Sequence, residues 1–142
     1  MKNPRLIKQQ LYEQFARIGK AVDSPQRLEL LDLLCQCERS VEDLAKEANL
    51  SIANTSRHLQ ILRGARLVDT RREGTRIYYR LADDEVCSFF RGMRVLAESR
   101  LAEVHQIMED YFGDHQSLEA VDRLSLIDRA RRGQTTILDV RP

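Results

Sequence analysis

Residues 51–63 concentrate side chains that can read the edge of a base pair. Asn54 and Gln60 have the amide geometry that pairs with adenine, and Arg57 has the fork that grips guanine O6 and N7. Ser51, Thr55 and Ser56 add short hydroxyls to the same stretch. On a helical wheel Ile52, Thr55, Leu59 and Leu62 share one face, and Ala53, Asn54, Arg57 and Gln60 occupy the other. Ser51 and Ser56 lie at the start of the helix or along its edge. A polar helix face taken alone most often meets only solvent, so its context must decide. Ser51, Asn54, Thr55, Ser56, Arg57 and Gln60 are the candidate contacts on this helix. His58 falls at the edge of the packed face and reads as a packing histidine.

Charge distribution supplies part of that context. The 142-residue chain has a net charge of only +1. Residues 51–80 nevertheless hold Arg57, Arg63, Arg66, Arg71, Arg72, Arg76 and Arg80 against Asp69 and Glu73, which is +5. The remainder is therefore −4. A basic patch on a nearly neutral protein matches the footprint of a nucleic-acid face better than a general polycation does. Arg71, Arg72 and Arg76 stand near Glu73-Gly74, a turn pair between two strand-like runs. They are the expected backbone or minor-groove contacts.

Cys35, Cys37 and Cys87 are the only thiols, and they are the candidate sensing residues. Cys35 and Cys37 diverge by about 200° on an intact helix and converge only if the helix ends near Cys35. Three thiolates would suit a metalloid or soft metal ion, and a pair would suit reactive sulfur species or oxidant. The bland alternative is that all three pack as small hydrophobes. No resident cofactor is implied beyond such a thiol-bound ion. Glu103, His105, His115 and Glu119 imitate a metal site but lie far along the chain, and they read as solvent-facing.

The elements that must position these groups follow from periodicity and caps. Leu6, Ile7, Leu11, Phe15 and Ile18 mark a first helix over residues 5–20. Ser24-Pro25 opens a second, Ser40 a short third over 41–48, and Ser51 a fourth that Gly64 stops. Val41, Leu44, Ala45, Ala48, Leu50, Leu59 and Leu62 would lock the third and fourth together as a helix-turn-helix. Leu67-Val68 and Ile77-Tyr78-Tyr79 with Leu81 then predict a hairpin. Asp83-Asp84-Glu85 opens a long fifth helix, where the dipole favours acidic side chains. Its stripe of Val86, Phe90, Met93, Ala97, Leu101, Val104, Met108 and Tyr111 runs about 40 Å at 1.5 Å per residue. So small a domain cannot cover that stripe, and a second copy is the simplest partner. The expected fold is mainly α with a β-hairpin wing, in the order α-α-α-α-β-β-α. It would form a homodimer through its first and fifth helices. Residues 1–113 would be this domain, and 114–142 a linker, a helix and a strand.

Composition excludes other classes. Hydrophobic residues at 42% and charged residues at 32% suit a globular domain. No apolar run approaches membrane-spanning length and the start lacks a signal-peptide core. Three cysteines without a framework of spacings point to a reducing, cytoplasmic setting. No cysteine follows Cys87, so no late nucleophile is present for sulfur-transfer chemistry, and no enzyme activity is expected of this chain.

Three spaced motifs carry a resemblance over about residues 8–112. Leu50-Ser51 with Thr55-Ser56-Arg57-His58-Leu59-Gln60-Ile61-Leu62-Arg63 is similar to the recognition helix of the ArsR family of bacterial repressors. Glu73-Gly74-Thr75-Arg76-Ile77-Tyr78-Tyr79-Arg80-Leu81 resembles that family's wing, and Ser24-Pro25-Gln26-Arg27-Leu28 its second-helix opening. The resemblance implies a homodimeric repressor on duplex operator DNA, released by a metal ion, a metalloid or reactive sulfur. The family's metal sites do not transfer. Ser40, Glu42 and Ala45 stand where the arsenic sensors carry cysteines. Asp83 and Glu85 stand where the zinc sensors carry an aspartate and a histidine, and Leu96 takes a later ligand position. The terminal Ile137-Leu138-Asp139-Val140-Arg141-Pro142 resembles the opening strand of a rhodanese-like domain, which some members of the family carry behind the repressor. A regulatory part of a sulfurtransferase, or a dimeric adaptor without DNA, are the alternatives.

Overall fold

Serine side chains start three of the helices, each by local chemistry that the sequence states openly. The computed structural model describes residues 3–112. Helix α1 spans Pro4–Val22 and α2 spans Pro25–Gln36, with Ser24 accepting from the Arg27 N–H at 3.3 Å. A two-residue strand β1, Arg39–Ser40, leads into α3, Val41–Ala48, whose cap Ser40 accepts from the Asp43 N–H at 3.1 Å. Helix α4 spans Ile52–Gly64, and its cap Ser51 accepts from the Asn54 N–H at 3.1 Å. Each cap satisfies one of the N–H groups a helix start leaves orphaned.

The turn between α3 and α4 is a Schellman closure. Asn49 takes the left-handed conformation (φ 54), its N–H bonds to Lys46 O, and the Leu50 N–H reaches Ala45 O at 2.9 Å. The end of α4 repeats the device. Gly64 stays within the helix, Arg66 takes the left-handed position (φ 62), and the Leu67 N–H reaches Leu62 O at 3.0 Å. The expected glycine stop is thus displaced by two residues.

Strands β2 (Val68–Glu73) and β3 (Arg76–Leu81) form the hairpin, and the sheet order is β1-β3-β2, all antiparallel. Glu73 pairs with Arg76, so Gly74-Thr75 is the loop. Gly74 has φ 63, as the first loop position of a type II′ turn requires. Strand β1 was not anticipated. Two residues carry no period, and β1 exists only because Arg39 and Ser40 pair with Tyr79 and Tyr78.

The chain divides after Phe90 into two units, residues 1–90 and 91–142. In the first, Leu30, Leu31, Leu44, Leu59, Leu62 and Val68 are fully buried, joined by Leu33, Leu34, Val41, Ala45 and Tyr79. This is the expected lock of α3 on α4, completed by α2 and the sheet. Ala48 and Leu50 are only half-buried.

Helix α5, Asp84–Arg100, begins in the first unit and continues into the second, where α6, Ala102–Phe112, follows. The single long fifth helix is therefore corrected to two. The Leu101 N–H still bonds to Ala97 O at 2.9 Å, but the Val104 N–H turns to Leu101 O at 3.0 Å, a three-residue step that resets the helix. The apolar stripe changes with it. Phe90, Met93, Ala97, Val104 and Met108 are half-buried, whereas Phe89, Val95, Leu96, Leu101, Ile107 and Tyr111 are exposed. Residues 114–142, with their expected linker, helix and rhodanese-like strand, lie outside the described residues. Among the described residues no helix is long and apolar enough to cross a membrane.

Candidate nucleic-acid interface

Helix α4 is held on three sides so that one side stays open. Leu59, Leu62 and Thr55 face the core. At its C-terminal end, Arg17 of α1 donates from Nη2 to Gly64 O at 3.3 Å, satisfying a last-turn carbonyl. Between these, His58 meets Arg27 of α2, with Nδ1 3.2 Å from Nη1. Arg27 also donates to the end of α1, through Nε to Ala21 O (2.6 Å) and Nη2 to Lys20 O (3.3 Å). An arginine has no acceptor to offer, so His58 Nδ1 accepts and the ring is neutral. Burial holds the His58 pKa below its ordinary value, and the charges of Arg27 and Arg57 push it the same way. The packing reading of His58 agrees with this geometry.

On the open side Ser51, Asn54, Arg57 and Gln60 are all exposed, and Ser56 is half-buried. Arg57 makes no ion pair among the described residues. Gln60 leans toward the hairpin, its Nε2 donating to Tyr79 Oη at 3.4 Å. Burial raises the pKa of that phenol, so Tyr79 keeps its proton. The bond ties α4 to β3.

Thr55 must be withdrawn from the contacts. Its side chain is 0% exposed, and its hydroxyl donates to Ser51 O at 2.9 Å. It is a packing residue that satisfies its own polar atom inside the helix. Ile52, placed by the wheel on the packed face, is instead 57% exposed, because the first turn projects past the core.

The wing arginines separate by strand parity. Arg71 pairs across the hairpin with Tyr78, and Arg72 pairs with Ile77 on the opposite face. Arg71 is engaged within the protein. It ion-pairs with Glu38, the residue before β1, and with Glu73 at 2.7 Å, and its guanidinium carbon sits 4.7 Å from the Tyr78 ring centre. Its hydrogen bonds, first to Glu38 and then to Glu73, raise its pKa further, and the same contact with Arg71 lowers that of Glu38. Arg71 thus braces β2 against the segment ahead of β1, which engages its charge within the protein although its side chain stays 44% exposed. Arg72 and Arg76 are exposed and form no ion pair among the described residues. Arg63, Arg66 and Arg80, counted in the basic patch but not among the candidate contacts, are also exposed on the same unit.

The thiols are not gathered into one site. Cys35 is half-buried in the last turn of α2, Cys37 is exposed just past its end, and Cys87 is buried in the first turn of α5. Among the described residues no group of three or more His, Cys, Asp or Glu side chains could hold a metal ion. The three-thiolate arrangement is set aside on that geometry. Helix α2 ends at Gln36, and Cys37 beyond it has extended backbone (φ −171, ψ 165) while its N–H still bonds to Leu33 O at 3.5 Å.

Comparison with known proteins adds an independent line. The profile of the arsR family of bacterial regulatory proteins matches residues 24–70, from the α2 cap into β2. The HTH-type transcriptional regulator Rv0324 of Mycobacterium tuberculosis is 41% identical over 132 residues, 93% of this chain and 58% of that protein. The transcriptional repressor SmtB homolog of Synechocystis is 38% identical over 62% of this chain and 67% of its own length. The homodimeric winged helix-turn-helix DNA-binding domain Mb0332 of Mycobacterium bovis, solved by NMR as fragment 1-100, superposes with a TM-score of 0.65 at 42% identity. That match covers 71% of this chain and 92% of the fragment. The chain thus spans little more than half of the Rv0324 relative. These relatives are named as regulators, and none is named as an enzyme.

Proposed function

This chain belongs to the ArsR family of bacterial regulatory proteins, and from that premise we propose that it is a homodimeric transcriptional repressor of duplex operator DNA. One observation carries the reading: Asn54 and Arg57 stand exposed on α4, opposite the buried Thr55, Leu59 and Leu62, and the wing cations Arg72 and Arg76 of the same unit are exposed and form no ion pair among the described residues. A helix locked at its back and tied through His58, Gln60 and Gly64 presents its exposed face rigidly, which limits the ordering cost on binding. Asn54 and Arg57 read bases in the major groove, while Arg72 and Arg76 hold phosphate. Selection from a random duplex pool, followed by anisotropy titration, tests it. Arg57→Ala should cost roughly 1–3 kcal/mol on the selected duplex and relax its sequence preference. An Arg57→Ala protein that binds that duplex as wild type does removes the assigned reading face.

Release by a small inducer is the finer part of the proposal, with Cys35 and Cys37 as the responsive pair and reactive sulfur species or a soft ion as the effector. Its support is positional: one thiol lies in the last turn of α2, the other is exposed just beyond its end, and Glu38 connects that segment to Arg71 of the wing. Cys35→Ser with Cys37→Ser should leave DNA affinity intact and abolish release by whichever agent acts on wild type. Release that persists in the double variant assigns the thiols to packing.

Residues 114–142 are proposed to open a rhodanese-like domain, on the strength of their terminal motif. The match to Rv0324 covers 93% of this chain, and so runs past residue 113 into a protein of greater length. A chain extended to that length should show a second unfolding transition in calorimetry.

A further inference from the structure

We propose that Ile52 reads the C5-methyl group of thymine, so that the selected half-site contains an obligatory thymine whose methyl contributes affinity. The inference rests on α4 being the helix that enters the major groove. Ile52 is the first residue of that helix, directly after its cap Ser51, and it is the most exposed large apolar side chain of α4. Ala53 beside it is exposed as well. Recognition helices meet base edges chiefly through their N-terminal residues, so this end lies deepest in the groove. The chemistry of the groove then leaves little choice. Guanine, cytosine and adenine present donors and acceptors there, which an isoleucine cannot satisfy. Thymine alone presents a methyl group.

An apolar side chain facing the polar edges of the other bases desolvates them without compensation, which discriminates against them. Asn54 and Arg57 on the same helix supply the hydrogen-bond half of the code, and Ile52 the apolar half. Two neighbouring features keep the side chain in place. Ser51 fixes the first turn through its bond to the Asn54 N–H, and the fully buried Thr55, bonded back to Ser51 O, holds the next turn against the core. An isoleucine at χ1 is also stiff, so little rotamer freedom is lost when it is seated.

The test replaces single thymines of the selected duplex by deoxyuridine, which removes the methyl and nothing else. For wild-type protein one position per half-site should weaken binding about fourfold, the equivalent of one buried methyl group. Ile52→Ser should bind the thymine and deoxyuridine duplexes equally, with circular dichroism confirming the fold. Arg57→Ala should keep the deoxyuridine effect. Wild-type binding that ignores every thymine-to-deoxyuridine change overturns the inference while leaving the DNA-binding reading in place. So does an Ile52→Ser protein that stays as sensitive as wild type. A pool from which no sequence is enriched overturns the DNA-binding reading itself, and the methyl reading with it.

Discussion

At the level of single residues, His58 links α4 to two other helices through one protonation state. The neutral ring accepts from Arg27, and Arg27 at once caps α1. A protonated ring has no acceptor and would set a third positive charge beside Arg27 and Arg57. The sign follows from the lowered pKa. Above about pH 6.5 the histidine is neutral in both folded and unfolded chains. As pH falls below that, the unfolded chain takes up its proton first, so stability declines down to the lowered folded pKa. The thermal midpoint should therefore drop between pH 7.5 and 5.5, and His58→Gln, which keeps an acceptor but cannot be protonated, should blunt the drop. Identical pH profiles for the two proteins would sink the idea. The sequence disclosed that His58 packs, because the wheel fixes its side of α4. It could not disclose Arg27, which comes from another helix 31 residues earlier.

Among elements, the wing shows which information is local. The hairpin, its glycine and its arginines were legible from alternation, and strand parity alone already separates Arg71 from Arg72. That parity was the missed signal. The partner Glu38 was not legible, since it lies 33 residues before Arg71 and meets it only after β1 docks on β3. The break at Leu101 had no local sign either, because the apolar spacing runs through it without glycine or proline. Salt dependence distinguishes the two arginines. Arg72→Ala should reduce the slope of log affinity against log salt by about one, the loss of one phosphate contact. Arg71→Ala should leave that slope unchanged, because Glu38 and Glu73 already neutralise it. Glu38→Gln combined with Glu73→Gln should steepen the slope by freeing Arg71. Titrations between 50 and 200 mM salt decide this, and equal losses from Arg71→Ala and Arg72→Ala would restore Arg71 as a DNA contact.

For the whole molecule, the apolar surface asks for a second copy. Leu6, Ile7, Leu11, Tyr12 and Phe15 are exposed along α1, and only Ala21 and Val22 of that helix are buried. A 19-residue helix gains most of its stability from packing an apolar face, and within one chain most of this face meets water. Tyr12 and Phe15 meet edge to face at 5.5 Å, forming a preassembled aromatic patch rather than scattered side chains. In the second unit Leu96, Leu101, Ile107 and Tyr111 are uncovered too. A symmetric partner would cover exposed apolar faces of this kind, and it would also supply the second recognition helix that a two-fold operator requires. Phe15→Glu and Leu101→Glu should each yield monomers, since a charge driven into a self-complementary patch is met by its own copy. Neither residue lies on α4, so each monomer keeps Asn54 and Arg57 on that helix and loses only the simultaneous engagement of two half-sites. Affinity for the selected duplex should then fall toward the non-specific range, roughly 10⁻⁴–10⁻⁶ M. Sedimentation at low micromolar concentration checks the assembly directly. Wild-type protein running at its monomer mass of 16.5 kDa would refute the dimer. A dimeric Phe15→Glu protein would instead move the interface away from α1.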